Sequence, residues 1–166
     1  MATASTTPIS HITPDNDVVT AEIFIAAPRD RVFQAITDPR QAVKWWGQEG
    51  KYRLSEFNMD VRVGGKWSCA GSSVTMGGPI AIHGEFLAVD PPRELSYTWT
   101  SSWMPVSTQV RWELEAQESG TILRLTHTGF GGNAEQAKDH SIGWTLVIVW
   151  LRSFVEKGET IDNRYK

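Results

Sequence analysis

Near its beginning, the chain shows a pattern of apolar and polar positions typical of one strand followed by two short helices. Residues 18–26 (VVTAEIFIA) are rich in β-branched side chains that alternate loosely with others, which predicts a strand. Pro28 and the segment RDRVFQAIT that follows it predict a helix, because proline is favoured in the first helical turn. Asp38-Pro39 ends this helix, since the residue before a proline is disfavoured in the α region, and residues 41–46 predict a second short helix.

The middle of the chain has the pattern of an antiparallel sheet. Apolar segments separated by short polar or glycine-rich spacers predict strands at residues 54–59, 66–70, 80–89, 94–100, 106–116 and 121–128. The longest spacer, residues 71–79 (GSSVTMGGP), predicts a glycine-rich loop. Because the other spacers are short, we expect consecutive strands to pair antiparallel with their neighbours.

The last apolar pattern has the period of a helix from residue 134 to about residue 157, with Asn133 as its N-cap and Gly158 as its end. Five apolar residues recur at steps of three and four and share one face, namely Trp144, Val147, Ile148, Leu151 and Val155. Such a helix must bury this face, and the sheet is the only partner that the pattern offers. We therefore expect a bent sheet around the helix, with a cavity between them.

Composition and charge narrow the class of protein. A length of 166 residues predicts one domain, which we place at residues 17–166, after a flexible tail of residues 1–16 rich in Thr, Ser, Pro and Asp. The net charge of -3 argues against nucleic acid as a partner, and no apolar segment approaches the roughly 20 residues of a membrane span. The single cysteine, Cys69, excludes an internal disulfide framework and is typical of the cytoplasm, where we place the chain.

Several segments, taken in order, resemble those of one protein family. They are IAAPRDRVFQAITDP, VKWWGQEG, DVRVGGKW, HGEFLAVDPPRELSYTW, LTHTGF and GWTLVIVWLRSFVE, and they extend from about residue 18 to about residue 157. On these motifs the chain resembles the START-like, Bet v-type superfamily (SRPBCC), and within it the homologues of the activator of the heat-shock protein 90 ATPase. The chain departs from that pattern after Trp45-Trp46-Gly47, where the family often has proline and this chain has Gln48.

The resemblance implies an α+β helix-grip fold. In this fold a curved antiparallel sheet, here of six to seven strands, wraps round the long C-terminal helix, and two short helices follow the first strand. The functions that it implies are ligand binding, cyclase- or aromatase-type or hydrolase catalysis, and activation of a chaperone ATPase.

Strand parity indicates which polar side chains face the predicted cavity. His127 lies on the same side of its strand as Leu125, which must face the core. The strand at 80–89 leaves both faces open, and the family pattern GEFLAVDPP favours the one that turns His83 and Glu85 inward. These three polar residues fit a general acid–base set, a small metal site or a hydrogen-bonded cluster that orients a ligand, and the last is the most common case. We therefore assign no catalytic residue, metal ligand or cofactor.

Tryptophan is the unusual feature of the composition, with 8 Trp beside 6 Phe and 3 Tyr. Tryptophan side chains line sites where apolar ligands meet a few polar groups, although they also fill ordinary cores. The predicted lining of the cavity is Trp46, Phe57, Trp67, His83, Glu85, Trp99, Trp112, His127, Trp144 and Val147. Trp103-Met104-Pro105 and the loop at 71–79 lie between strands, where they could form lids.

The function expected from these observations is binding of a small hydrophobic molecule, without a defined reaction and without nucleic acid or membrane as a partner. One alternative is a cyclase-, aromatase- or hydrolase-like enzyme on an aromatic or polyketide-like substrate, which requires His83, Glu85 or His127 to touch the substrate. The other is an interaction module of the chaperone-ATPase-activator type. The sequence leaves a homodimer open.

Overall fold

The structure is a computed structural model that describes residues 7–165. In chain order its elements are β1 (Ile9–Ile12), β2 (Val18–Ile25), α1 (Arg29–Thr37), α2 (Pro39–Trp45), β3 (Gly47–Gln48), β4 (Tyr52–Met59), β5 (Lys66–Ser73), β6 (Gly78–Asp90), β7 (Glu94–Ser101), β8 (Thr108–Gln117), β9 (Gly120–Thr128) and α3 (Ala134–Lys157). The strands in this range form one sheet of order β1-β2-β9-β8-β7-β6-β5-β4-β3. The α+β helix-grip architecture is confirmed, with nine strands among the described residues instead of six to seven.

The three helices begin and end close to where the sequence predicts. Asp38 ends α1 and caps α2, where its side chain accepts a hydrogen bond from the backbone N–H of Arg40. Asn133 caps α3 by accepting from the backbone N–H of Gln136, and Gly158 ends α3 in the left-handed conformation at φ 70°. The apolar face of α3 packs across the sheet, and this packing brings its aromatic residues to the centre of the molecule.

Strand β1 lies within the segment that the sequence analysis predicts to be a flexible tail. Residues 9–12 pair antiparallel with β2, from Ile9 opposite Glu22 to Ile12 opposite Val19. Ile12 packs against the core, and the Ser10 hydroxyl accepts a hydrogen bond of 2.9 Å from Ser141 on α3. The prediction therefore does not hold for residues 9–12, because a short, weakly alternating segment becomes a strand when a neighbouring edge offers backbone partners. Residues 1–6 of the predicted tail lie outside the described residues.

Replacing Ile12 with alanine tests whether β1 contributes to stability. We expect Ile12→Ala to lower the free energy of unfolding by about 1 kcal/mol, because full burial of an isoleucine contributes about 1.5–3 kcal/mol and Ile12 is only partly buried. Ile9→Ala is the matched control, since Ile9 is exposed on the same strand. Urea denaturation of both variants measures the difference. Equal, near-zero losses would show that β1 does not pack against the core in solution.

The predicted loop at residues 71–79 is mostly strand. Strand β5 continues to Ser73 and β6 begins at Gly78, so only residues 74–77 form the turn. Gly71 lies inside β5 next to an irregularity in the pairing of β4, and a Cβ atom at this position would overlap the carbonyl oxygen of Arg53. Gly71 therefore allows two backbones to approach closely at a bulge. It does not belong to a loop, although the composition of residues 71–79 indicates one.

Candidate functional site

Helix α3 places Trp144 at the centre of an aromatic cluster between the helix and the sheet. The Trp144 ring lies 5.9 Å from Trp46, 5.2 Å from Trp99, 5.9 Å from Trp112 and 5.8 Å from His127, measured between ring centroids. These rings are tilted or edge-to-face, which is the arrangement that aromatic pairs prefer. We call these five residues the aromatic cluster. Its members come from the end of α2, three neighbouring strands and α3.

Most of the predicted lining residues lie in or beside this cluster. Phe57 packs on Trp46 at 5.7 Å, and Trp67 packs on Trp99 at 5.8 Å. The buried members of the predicted set are Trp46, Phe57, Trp67, Trp99, Trp112, His127, Trp144 and Val147. Because their rings touch, side chains occupy the space in which the sequence analysis predicts an open cavity.

His83 and Glu85 face outward, opposite to the expected orientation. His83 is exposed, and the Glu85 carboxylate lies 3.5 Å from the ammonium group of Lys66 on the outer surface. The inner face of this part of β6 carries Ile82 and Phe86 instead. Parity leaves both faces of this strand open, and the family pattern favours the wrong one. The pairing of β6 with β7 shifts register between Phe86 and residue 88, so Val89, which packs against the core, does not share one alternation with His83 and Glu85.

His127 is held by hydrogen bonds at both ring nitrogens. Its Nδ1 accepts from the indole N–H of Trp144 at 3.0 Å, so Nε2 carries the proton of the neutral ring and donates to the Thr108 hydroxyl at 2.7 Å. Thr108 in turn donates to the backbone carbonyl of Trp99 at 3.0 Å. This chain of hydrogen bonds satisfies every polar atom of a fully buried histidine.

The environment of His127 keeps it neutral. Burial lowers its pKa well below the usual range, and the neighbouring His140 lowers the pKa further. A general acid or base needs a free nitrogen within reach of a substrate and a pKa near the working pH. His127 has neither property in this structure, and its role here is to join β8, β9 and α3.

A second pair of polar side chains, which the sequence analysis did not single out, lies at one end of the aromatic cluster. The indole Nε1 of Trp99 and the ring Nε2 of His140 are buried and have no hydrogen-bond partner among the described residues. The two rings lie 6.4 Å apart and nearly perpendicular. The helical period is the sequence feature that indicates a buried His140, because His140 lies one turn before Trp144 on the same face of α3.

The connection between β7 and β8 covers this end of the cluster. Trp103 stacks on His140 with a centroid distance of 6.3 Å, and Met104, the next residue of the connection, is buried. The Ser101 hydroxyl accepts a hydrogen bond of 3.1 Å from the backbone N–H of Met104 and holds the connection in place. The predicted lid segment at residues 103–105 therefore contacts His140 through Trp103.

Comparison with known proteins now identifies the family. The family described as activator of Hsp90 ATPase homolog 1-like protein matches residues 26–156. The chain belongs to this family. No curated protein sequence matches the chain.

Solved structures share the fold of this chain at low sequence identity. A protein from Mycobacterium smegmatis is 22% identical, with a TM-score of 0.76 over 88% of this chain and 94% of its own. A protein from Arthrobacter aurescens is 18% identical, with a TM-score of 0.78 over 95% and 97% of the two chains. CalU16 from Micromonospora echinospora is 22% identical, with a TM-score of 0.66 over 95% and 88%. These likenesses extend to the fold alone.

Other candidate sites on this chain are less suited to chemistry. Two surface pockets of about 310 and 300 Å³ lie outside the aromatic cluster, one on the outer face of β4–β6 and one beside the segment after α3. Burial raises the pKa of the Cys69 thiol to about 12, so it stays protonated and is a poor nucleophile. Over residues 7–165, no three His, Cys, Asp or Glu side chains come close enough to share a metal ion. None of the helices in that range has the length and apolarity to cross a membrane.

Proposed function

We propose that this chain binds a small hydrophobic molecule between the sheet and α3, without a defined reaction. The observation that carries the proposal is the aromatic cluster, which ends in two unpaired polar atoms below a short connection. Ligand sites in proteins combine apolar aromatic walls with a few polar groups in this way. Six buried side-chain atoms have no partner among the described residues, and two of them lie on the neighbouring rings of Trp99 and His140, 6.4 Å apart. The proximity of this donor and acceptor favours a site over simple packing.

The ligand enters beneath the connection at residues 102–107. Val106 and neighbouring residues of this segment are exposed, and the segment connects the end of β7 to the start of β8. Trp103 stacks on the ring of His140, and Met104 of the same connection is buried. Both residues lie between β7 and β8, so their displacement does not require a strand or α3 to unfold.

The arrangement of His127 disfavours the enzyme alternative. A cyclase- or hydrolase-like reaction needs a polar residue that touches the substrate, and both nitrogens of His127 are engaged within the protein. His83 and Glu85, the other two candidates, lie on the outer surface. The three residues on which the enzyme alternative depends are therefore not placed to touch a substrate in this site, and we favour binding without catalysis.

Naphthalene is a suitable first probe, because it is apolar, flat and uncharged. We expect it to shift the indole N–H resonances of Trp99, Trp103 and Trp144 in a saturable way in ¹H–¹⁵N correlation spectra. Single Trp→Phe variants assign the 8 indole signals of the chain. Trp150 is an internal control, since it packs against Tyr52 and Arg164. The absence of any saturable shift up to the solubility limit would remove the proposal and favour the interaction-module alternative.

A further inference from the structure

The two unpaired atoms at the end of the aromatic cluster are chemically complementary. The indole N–H of Trp99 can only donate a hydrogen bond. The Nδ1 atom of His140 lies 2.8 Å from the backbone carbonyl oxygen of Gln136, which can only accept, so Nδ1 carries the proton. The Nε2 atom of neutral His140 is therefore an acceptor. One free donor and one free acceptor thus lie on two rings whose centroids are 6.4 Å apart.

Both residues are buried deeply enough that water does not satisfy them freely. Trp99 is 4% exposed and His140 is 8% exposed. Phe130 and His127 surround His140 with ring centroids at 5.0 and 5.1 Å, and Trp103 covers it from the solvent side. Polar atoms in such surroundings are unfavourable without a partner, because the low local dielectric strengthens both the bond and the penalty for its absence.

Within residues 7–165, no side chain or backbone group is a partner of this pair. His127 is the nearest polar ring, but Trp144 and Thr108 already use both of its nitrogens. Thr108 donates to a backbone carbonyl and accepts from His127, so its hydroxyl proton is engaged. The side-chain oxygen of Gln136, one turn earlier on α3, is a further buried and unpaired acceptor. This oxygen can accept a hydrogen bond from a donor group of a ligand, but it cannot donate one to Nε2 of His140.

We propose that the bound molecule is a hydroxylated ring compound whose hydroxyl group accepts a hydrogen bond from Trp99 and donates one to His140. This inference rests on the proposed function and names the ligand class of the same site. A hydroxyl group is suited because it accepts and donates at one oxygen atom. A hydrocarbon leaves both atoms unpaired, and a carboxylate places a second acceptor against Nε2 of His140. Burial lowers the pKa of His140, so it is neutral at pH 7 and provides no charge for an anion.

Three naphthalene derivatives of similar size separate these cases. At pH 7 we expect 2-naphthol to bind roughly ten-fold more tightly than naphthalene, as two well-placed hydrogen bonds allow, and 2-naphthoate to bind more weakly than 2-naphthol. Trp99→Phe keeps an aromatic ring and removes the donor, and His140→Phe does the same for the acceptor. In each variant we expect the affinity for 2-naphthol to fall close to the affinity of that same variant for naphthalene.

Trp150→Phe is the matched control, because it removes another buried and unpaired indole N–H outside this site. It should leave the preference for 2-naphthol unchanged. Thermal melts report whether each variant is folded, and the two site variants are independent, so the loss of one to misfolding leaves the other as a test.

The outcomes distinguish this inference from the proposed function. If naphthalene binds and 2-naphthol binds no more tightly, the hydroxyl assignment is wrong and the proposed function stands. If 2-naphthoate binds most tightly, or if the preference for 2-naphthol survives both site variants, the assignment is also overturned. If none of the three compounds binds, the proposed function fails with it.

Discussion

Replacement of Trp144 with alanine is expected to lower the free energy of unfolding by about 3–5 kcal/mol. Trp144 is 3% exposed and contacts the other four members of the aromatic cluster. The substitution removes these contacts and leaves a void that rigid neighbouring rings fill poorly. It also removes the donor to Nδ1 of His127, which becomes a buried acceptor without a partner.

The control for this prediction is Ile142→Ala on the same helix. Ile142 is 56% exposed, so its loss should change the free energy of unfolding by less than about 0.5 kcal/mol. Urea or guanidinium denaturation at fixed pH measures both variants. A loss below about 1 kcal/mol for Trp144→Ala would contradict the placement of this face of α3 against the sheet.

A second large effect is expected at Arg164, in the segment that follows α3. This residue is 4% exposed, and its guanidinium group donates to the backbone carbonyls of Gly47 and Trp45 at 2.7 and 2.8 Å. It also lies over the ring of Trp150 at 5.5 Å. We expect Arg164→Met to lower the free energy of unfolding by about 2–4 kcal/mol, because methionine keeps much of the apolar stem and leaves two buried carbonyls unpaired.

Tyr165→Ala serves as the control for Arg164, since the neighbouring Tyr165 is exposed and should contribute little. Denaturation curves of the two variants, recorded under identical conditions, measure the difference. Comparable small losses would indicate that the segment after α3 does not stay docked. Because the two carbonyls flank Trp46, a member of the aromatic cluster, Arg164→Met is also expected to weaken naphthalene binding. Such weakening would connect the C-terminal segment to the proposed site.

The boundaries of the main elements could be predicted from the sequence because their signals are local. The cap at Asn133, the end at Gly158 and the apolar period between them place α3 correctly. The proline at position 39 likewise separates α1 from α2. Most of the residues that the sequence places on the inner faces are buried, because strand alternation and the helical period hold wherever an element is regular.

Parity leaves both faces of β6 open, and the family pattern favours the wrong orientation of His83 and Glu85. The bulge near residue 87 breaks the alternation after Phe86, so the apolar residues beyond it do not indicate which way His83 and Glu85 face. The strand at 9–12 was also missed, because its formation depends on the free edge of β2 and on Ser141 of α3, both distant in sequence.

By itself, then, the sequence determined the fold class, the order of the main elements and the apolar surfaces that meet. These follow from periodicity and capping, which act within a few residues along the chain. Only the tertiary structure decided that the rings touch, that His127 is fully paired, and that Trp99 and His140 are not. Hydrogen-bond partners and close packing depend on distances of a few tenths of an ångström between residues from different elements, and no local pattern specifies such distances.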